Sequence, residues 1–205
     1  SCKFIAYSAE NSIIKRKMIG EMDMKMVGLT AYGFCIKNEQ EKRIELHDVD
    51  GREIIDILNT EIQNEINTYT DDRSDERVFC YDQNEIGIEY NGEKQEIFKI
   101  LYSRVKTGEY GMQSEIVNSK TGIVSHKKTE DEADVMPFGF AVCVAAGEVN
   151  TGIIVLQSIG NRGIKVALHK RLNKIVKDYN EDYRLEMGVI VPRIVLNRFF
   201  KQGVL

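Results

Sequence analysis

The sequence has few of the residues that mark specialised protein classes: two prolines, four cysteines and no tryptophan among 205 residues. So little proline, beside a hydrophobic content of 42%, excludes collagen-like, mucin-like and disordered chains. No apolar run approaches the roughly 20 residues that a membrane-spanning helix needs, and the first residues lack the apolar stretch of a signal peptide. These absences predict a globular cytoplasmic protein of one domain or two small ones, without a membrane partner.

The residue types that carry most catalysis and metal binding are scattered. They are Cys2, Cys35, Cys80 and Cys143, with His47, His126 and His169. Without a Cys-x-x-Cys pair the cysteines are expected to be reduced and structural, and no histidine lies in a metal-binding or nucleophile motif. We therefore assign no catalytic residue, no metal and no cofactor. Asp23-Met24-Lys25 and the acidic run from Asp131 to Asp134 leave a metal-dependent nuclease as a third hypothesis.

Charge is distributed unevenly along the chain, although the net charge is only −4. From Arg162 to Leu205 there are ten Lys and Arg against four Asp and Glu, whereas residues 1–161 hold 18 against 28. A local basic surface attracts a polyanion whatever the net charge, so the C-terminal part is a candidate contact for DNA or RNA. The alternative is that the two oppositely charged parts attract one another within the fold.

Hydrophobic periodicity predicts an α+β fold, mostly an antiparallel sheet with flanking amphipathic helices. Strand-like runs recur at 3–7, 29–36, 43–47, 77–81, 85–90, 97–105, 114–118, 122–126, 138–146, 152–159 and 185–191. The run at 97–105 also fits a short helix. Apolar intervals of three and four predict helices over 52–67, which Asp50-Gly51 can cap, and from Ile164 to Val176. The predicted domains are 1–70 and 71–205, or a single domain, because no Pro- or Ser-rich linker separates them.

The segment from Gly160 to Lys177 is the candidate nucleic-acid-binding site. Its first part resembles the Gly-x-x-Gly loop of KH domains, in which two glycines let the backbone approach phosphates. The same loop before a helix also fits an isolated anion, or ordinary turn chemistry. The helix that follows carries exposed cations, and Tyr179 and Tyr183 add stacking faces for single strands. The candidate site residues are Gly160, Asn161, Arg162, Gly163, Lys165, Lys170, Arg171, Lys174 and Lys177.

Two other segments favour a different function, a protein–protein interaction or oligomerisation domain. Four methionines lie between Met18 and Met26, and methionine-rich segments serve as adaptable contact surfaces, so Met22 to Val27 is one candidate contact. The apolar Phe199-Phe200 near the end of the chain is the other. The chain starts without methionine and ends soon after this pair, which suggests a fragment of a longer protein. In this alternative the basic helix is simply a solvated face.

From Phe138 onward the order of elements resembles phage-exclusion proteins of the RexA type. The matching segments are Phe138-Gly139-Phe140, the turn Gly147-Glu148, the strand Gly152-Ile153-Ile154 and the helix from Leu168 to Val176, about a fifth of the chain. The resemblance implies an accessory protein of a prophage or anti-phage defence system that binds DNA and partner proteins, and it supplies no catalytic residue. The leading hypothesis is therefore a non-enzymatic, nucleic-acid-contacting module of a bacterial or phage-encoded protein.

Overall fold

The computed structural model describes residues 27–190 except 92, 94 and 148. Its elements, in chain order, are β1 Val27–Lys37, α1 Ile54–Asn64, β2 Thr70–Asp72, β3 Arg77–Tyr90, β4 Glu96–Glu109, β5 Ser114–Val117, β6 Val124–Lys128, β7 Met136–Ala145, β8 Gly152–Ile159, β9 Arg162–Gly163, α2 Lys165–Tyr179 and β10 Arg184–Val189. The predicted contacts at Met22 to Met26 and Phe199-Phe200, and the triplet Asp23-Met24-Lys25, lie outside the described residues.

Eight of these strands form one sheet in the order β10-β1-β8-β7-β4-β3-β2, with β9 paired to β8. All of its pairings are antiparallel. The prediction of a mostly antiparallel α+β fold is thus confirmed. Strands β7 and β8 lie in the middle of the sheet, and each contributes alternate residues to two separate apolar clusters, which accounts for their nearly continuous apolar sequences. Because β1 lies between β10 and β8, one sheet joins residues on both sides of position 70.

The main core lies between one face of the sheet and the two helices. Leu101 and Val105 of β4 belong to the same buried cluster as Leu58 of α1 and Leu172 of α2. Ile100 and Tyr102, on either side of Leu101, belong to a second, smaller cluster, because successive side chains of a strand point to opposite faces. Helix α2 buries Leu168, Leu172, Ile175 and Val176. This burial fixes which side of α2 faces the sheet and leaves its lysines toward solvent.

The segment 77–90 departs from the sequence-based expectation of two strands flanking Asp82-Gln83-Asn84. It is one 14-residue strand, β3, whose register with β4 shifts between Tyr81 and Gln83, so that Asp82 bulges out of the pairing. The Asp82 carboxylate accepts hydrogen bonds from Arg104 and forms an ion pair with Lys106 at 2.5 Å. A polar residue is therefore accommodated inside a strand because two cations of the neighbouring strand compensate its charge.

The predicted cap of the first helix is wrong. Helix α1 begins at Ile54, and its N-cap residue, Glu53, makes no capping hydrogen bond through its side chain. Asp50 instead accepts hydrogen bonds from the Tyr183 hydroxyl at 2.8 Å and the Asn180 amide at 2.9 Å. The residue that resembled a local helix cap thus ties the segment before α1 to the segment that follows α2.

A long insertion separates β4 from β7, two neighbouring strands of the sheet. Within it β5 and β6 form a separate two-stranded hairpin, and all residues from 111 to 127 are exposed. We call residues 112–129 the β-arm. The sequence predicts both of its strands and the turn between them, whereas the separation of the β-arm from the main sheet is visible only in the structure.

Candidate nucleic-acid interface

Helix α2 and the turn between β2 and β3 enclose an open cleft of about 520 Å³. Four cationic and two acidic side chains line it: Arg73, Lys170, Arg171, Lys174, Asp71 and Asp72. Three of the four cations belong to the helix that the sequence predicts to be basic. The fourth, Arg73, comes from the β2–β3 turn and is not among the site residues predicted from the sequence. Its only sequence signal is a charged turn between two short strand-like runs.

Lys170 is held firmly at one wall of the cleft. Its ammonium nitrogen lies 2.5 Å from Asp75 and 3.5 Å from Asp72. The hydrogen bond to Asp75 is the main reason that the pKa of Lys170 is raised. The pKa of Asp72 is lowered, first by its hydrogen bond from Ser74 and then by the charge of Lys170. Lys170 therefore links α2 to the β2–β3 turn, and most of its charge is already compensated.

Among the described residues, each of the other cations of the cleft has one carboxylate partner or none. The guanidinium of Arg171 lies 5.3 Å from the centre of the Phe79 ring, a cation–π contact that orients the side chain. Lys174 pairs with Asp178 at 2.5 Å, and Arg73 with Asp71 at 3.4 Å, but Arg73 is 92% exposed. Exposed ion pairs contribute only about 0–1 kcal/mol, so an incoming anion can replace these carboxylates at little cost.

The Gly160–Gly163 segment forms a tight hairpin. Ser158 pairs with Gly163 and Ile159 with Arg162, which leaves Gly160 and Asn161 as the two turn residues. Gly160 has a φ of 58°, a conformation that glycine adopts without strain. In KH domains the corresponding loop joins two helices, whereas this one follows a strand of the main sheet. Turn chemistry, one of the sequence-based alternatives, accounts for this conformation.

The remaining cations of the predicted site are spread over a wider surface. Arg162 pairs with Asp134, at the base of the β-arm, at 3.0 Å. Lys165 lies over the ring of Tyr32, 4.7 Å from its centre, and Lys177 is exposed in the last turn of α2. The structure therefore brings Lys170, Arg171 and Lys174 together in the cleft, and the other predicted residues do not line it.

The base of the β-arm borders the cleft. The Tyr110 hydroxyl donates a hydrogen bond to Asp71 at 2.8 Å, and this interaction raises the pKa of Tyr110. The backbone N–H of Tyr110 also donates to the carbonyl of Glu76, in the β2–β3 turn, at 2.9 Å. These contacts join the β-arm, the β2–β3 turn and α2 at one end of the sheet.

The two tyrosines predicted to stack on bases have partners within the protein. The Tyr179 hydroxyl donates to the carbonyl of Val49 at 3.1 Å, and its ring lies 5.9 Å from the guanidinium of Arg52. Tyr183 donates to Asp50, and this hydrogen bond is the main reason that its pKa is raised to about 12. Both side chains join the segment before α1 to the C-terminal end of α2.

The residues considered for metal or redox chemistry are dispersed. Among the described residues, no group of three or more His, Cys, Asp and Glu side chains is arranged to hold a metal ion. In the acidic run, Asp134 pairs with Arg162 and Glu132 with His126. Cys35, Cys80 and Cys143 are buried free thiols, and burial raises the pKa of Cys143 to about 12.

Comparisons with protein-family models, with curated proteins and with solved structures find no match for this chain. In the part of the chain that the structure describes, neither helix is long and apolar enough to cross a membrane.

Proposed function

We propose that this protein is a non-enzymatic module that contacts nucleic acid through α2 and the cleft beside it. The observation that supports the proposal is the convergence of four cationic side chains, from two segments distant in sequence, on one open cleft. Phosphate groups are the ligands that such clusters attract most strongly, and binding releases counterions from the nucleic acid. The resemblance to phage-exclusion proteins of the RexA type implies the same kind of partner.

The four cations have different roles in this proposal. Lys170 connects α2 to the β2–β3 turn through Asp72 and Asp75, so it shapes the cleft more than it attracts phosphate. Arg171 is oriented by its contact with Phe79. Arg73 and Lys174 are exposed, with weak carboxylate partners, and exchange those partners for phosphates. The buried residues of α2 hold these side chains in place.

The experiment that tests the proposal is fluorescence anisotropy with labelled duplex DNA, single-stranded DNA and RNA at about 50 and 200 mM salt. The wild-type protein is expected to bind with micromolar affinity that weakens steeply as salt rises. The double variant R73Q/K174Q should bind more weakly at low salt. The slope of log affinity against log salt should also decrease by up to about two, one for each phosphate contact removed.

A matched control is available at the opposite end of the sheet. Lys42 and Arg43 are exposed. The backbone of Arg43 pairs with that of Lys37, at the end of β1, in an isolated antiparallel β-bridge. The variant K42Q/R43Q therefore changes the net charge by the same amount as R73Q/K174Q without touching the cleft. Equal losses of affinity in the two variants would mean that net charge, rather than the cleft, is responsible for binding. Absence of binding by the wild-type protein at low salt would contradict the proposal altogether.

A further inference from the structure

The β-arm exposes an unusual amount of apolar surface. Its exposed large hydrophobic residues are Met112 (72% exposed), Ile116 (54%), Val117 (49%), Ile123 (66%) and Val124 (39%). A two-stranded hairpin is at best marginally stable alone in water, and clustered exposed apolar groups usually mark a contact surface. The β-arm is therefore a candidate contact surface, and its shape and charge indicate which kind of partner fits it.

The tip of the β-arm has a defined shape. The Asn118 side-chain oxygen accepts hydrogen bonds from the backbone N–H groups of Lys120 and Thr121, at 2.9 and 3.1 Å. The Gly122 N–H donates to the Asn118 carbonyl at 2.8 Å, with Gly122 at a φ of 71°. Val117 and Val124 are paired across the two strands and so share one face. These bonds present apolar side chains at the end of a narrow ribbon.

The charge of the β-arm is positive. Between residues 112 and 129 there are three lysines, Lys120, Lys127 and Lys128, and one acidic residue, Glu115. Glu115 already pairs with Lys127 at 3.3 Å. The tip thus combines apolar groups with a lysine and has no acidic side chain. This combination fits a partner that presents apolar groups between two rows of negative charge. A groove of duplex DNA has this character, because its base edges lie between two phosphate backbones.

We propose that the β-arm enters the major groove of duplex DNA, where Val117, Ile123 and Val124 contact thymine methyl groups and the lysines contact phosphates. This inference rests on the proposed function and extends it from nucleic acid in general to duplex DNA. The major groove is about 12 Å wide and 8.5 Å deep, and it admits a two-stranded ribbon. The five residues of β6 span roughly 16 Å, which is enough to reach the floor of the groove.

The β-arm is also anchored beside the proposed phosphate contacts. The Gly111 N–H donates to the Glu130 carbonyl at 2.7 Å, which closes the base of the β-arm, and Tyr110 connects this base to Asp71 in the cleft. A duplex whose backbone lies along the cleft therefore passes the β-arm. A-form RNA is a poor alternative, because its deep and narrow major groove does not admit such a ribbon.

The test uses the full chain with two duplexes of the same A·T-rich sequence, one containing thymine and the other deoxyuridine, which lacks the C5 methyl group. The wild-type protein should bind the thymine duplex more tightly, by about fourfold for each methyl group buried. The variant V117S/I123S/V124S should bind both duplexes equally. The cleft variant R73Q/K174Q should lose affinity for both duplexes while keeping the ratio between them.

Each result separates this inference from the proposed function. If the wild-type protein binds both duplexes equally and V117S/I123S/V124S behaves like the wild type, the groove contact is wrong and the cleft proposal stands. If the wild-type protein binds no duplex but binds single-stranded DNA or RNA, the groove contact is wrong and the cleft proposal stands. If it binds none of the three, both proposals fail. Self-association in sedimentation that V117S/I123S/V124S abolishes, without any thymine preference, would identify the β-arm as a protein contact and overturn the inference. The single variant I123S, at a residue 66% exposed, repeats the measurement with the smallest effect on folding.

Discussion

Gly108, at the end of β4, lies against the backbone of Asp134 and Val135, just before β7. A Cβ atom at this position would lie 2.2 Å from the carbonyl oxygen of Asp134, which is backbone and cannot turn away. Gly108→Ala is therefore expected to lower the free energy of unfolding by about 1–3 kcal/mol, the usual cost of forcing atoms into a packed site. Urea denaturation followed by circular dichroism measures this difference.

Gly188, in β10, provides the matched control for that substitution. It also lies in a strand, but a Cβ atom there would have no neighbour within 4 Å among the residues that the structure describes. Gly188→Ala should therefore change the free energy of unfolding by no more than about 0.5 kcal/mol. Equal destabilisation by the two substitutions would contradict the idea that the segment beside Gly108 requires glycine for close approach.

At the scale of elements, α2 depends on its buried side for stability. Leu172 is fully buried within the main core, whereas Val166 of the same helix is 66% exposed. Leu172→Ala should lower the free energy of unfolding by about 2–5 kcal/mol through lost burial and a residual cavity. Val166→Ala should have an effect within about 0.5 kcal/mol. A similar loss for both, measured by urea denaturation, would show that α2 is not packed as described.

Local patterns explain which elements the sequence predicts. The buried positions of α2 recur every three or four residues, and the sequences of β7 and β8 are almost entirely apolar, so each signal lies within one short segment. The β-arm shows the limit of this reasoning, because its alternation of apolar and polar residues resembles that of a strand with one buried face. Its exposure depends on where β4 and β7 pair, and that pairing is a property of the whole sheet.

The cleft is also hard to predict from the sequence, because it depends on contacts between residues that are far apart in the chain. Lys170 and Asp72 are 98 residues apart, and they meet only because the β2–β3 turn lies beside α2. The sequence therefore predicts the basic helix but not Arg73, nor the carboxylates that compensate Lys170. It also assigns Tyr179 and Tyr183 to base stacking, since the hydrogen bonds of their hydroxyl groups to the segment before α1 have no local signal.

For the molecule as a whole, the distribution of charge predicts how stability depends on pH. Carboxyl groups that accept hydrogen bonds or pair with cations have lowered pKa values: Glu41, Asp50, Asp72, Asp82, Glu132 and Glu186. A carboxyl group whose pKa is lower in the folded state stabilises that state above its unfolded pKa, about 3.9 for Asp and 4.3 for Glu. This contribution is lost as the pH falls through the folded pKa. The protein should therefore lose stability progressively below about pH 4.

Asp82 is the sharpest test of this dependence, because its side chain is 9% exposed and faces both Arg104 and Lys106. Burial alone would raise its pKa, but the hydrogen bonds and charges of these two cations outweigh burial and lower it. Asp82→Asn should cost about 2 kcal/mol at pH 7, the typical value for hydrogen bonds to a charged group. Because Asp82 itself becomes protonated in acid, the difference between wild type and variant should shrink as the pH falls below about 4.

Urea denaturation at a series of pH values measures this difference in the free energy of unfolding. Asp131→Asn, an equal charge change at an exposed residue, is the control. A difference that stays constant down to pH 2 would show that the Asp82 carboxylate does not stabilise the bulge through its charge.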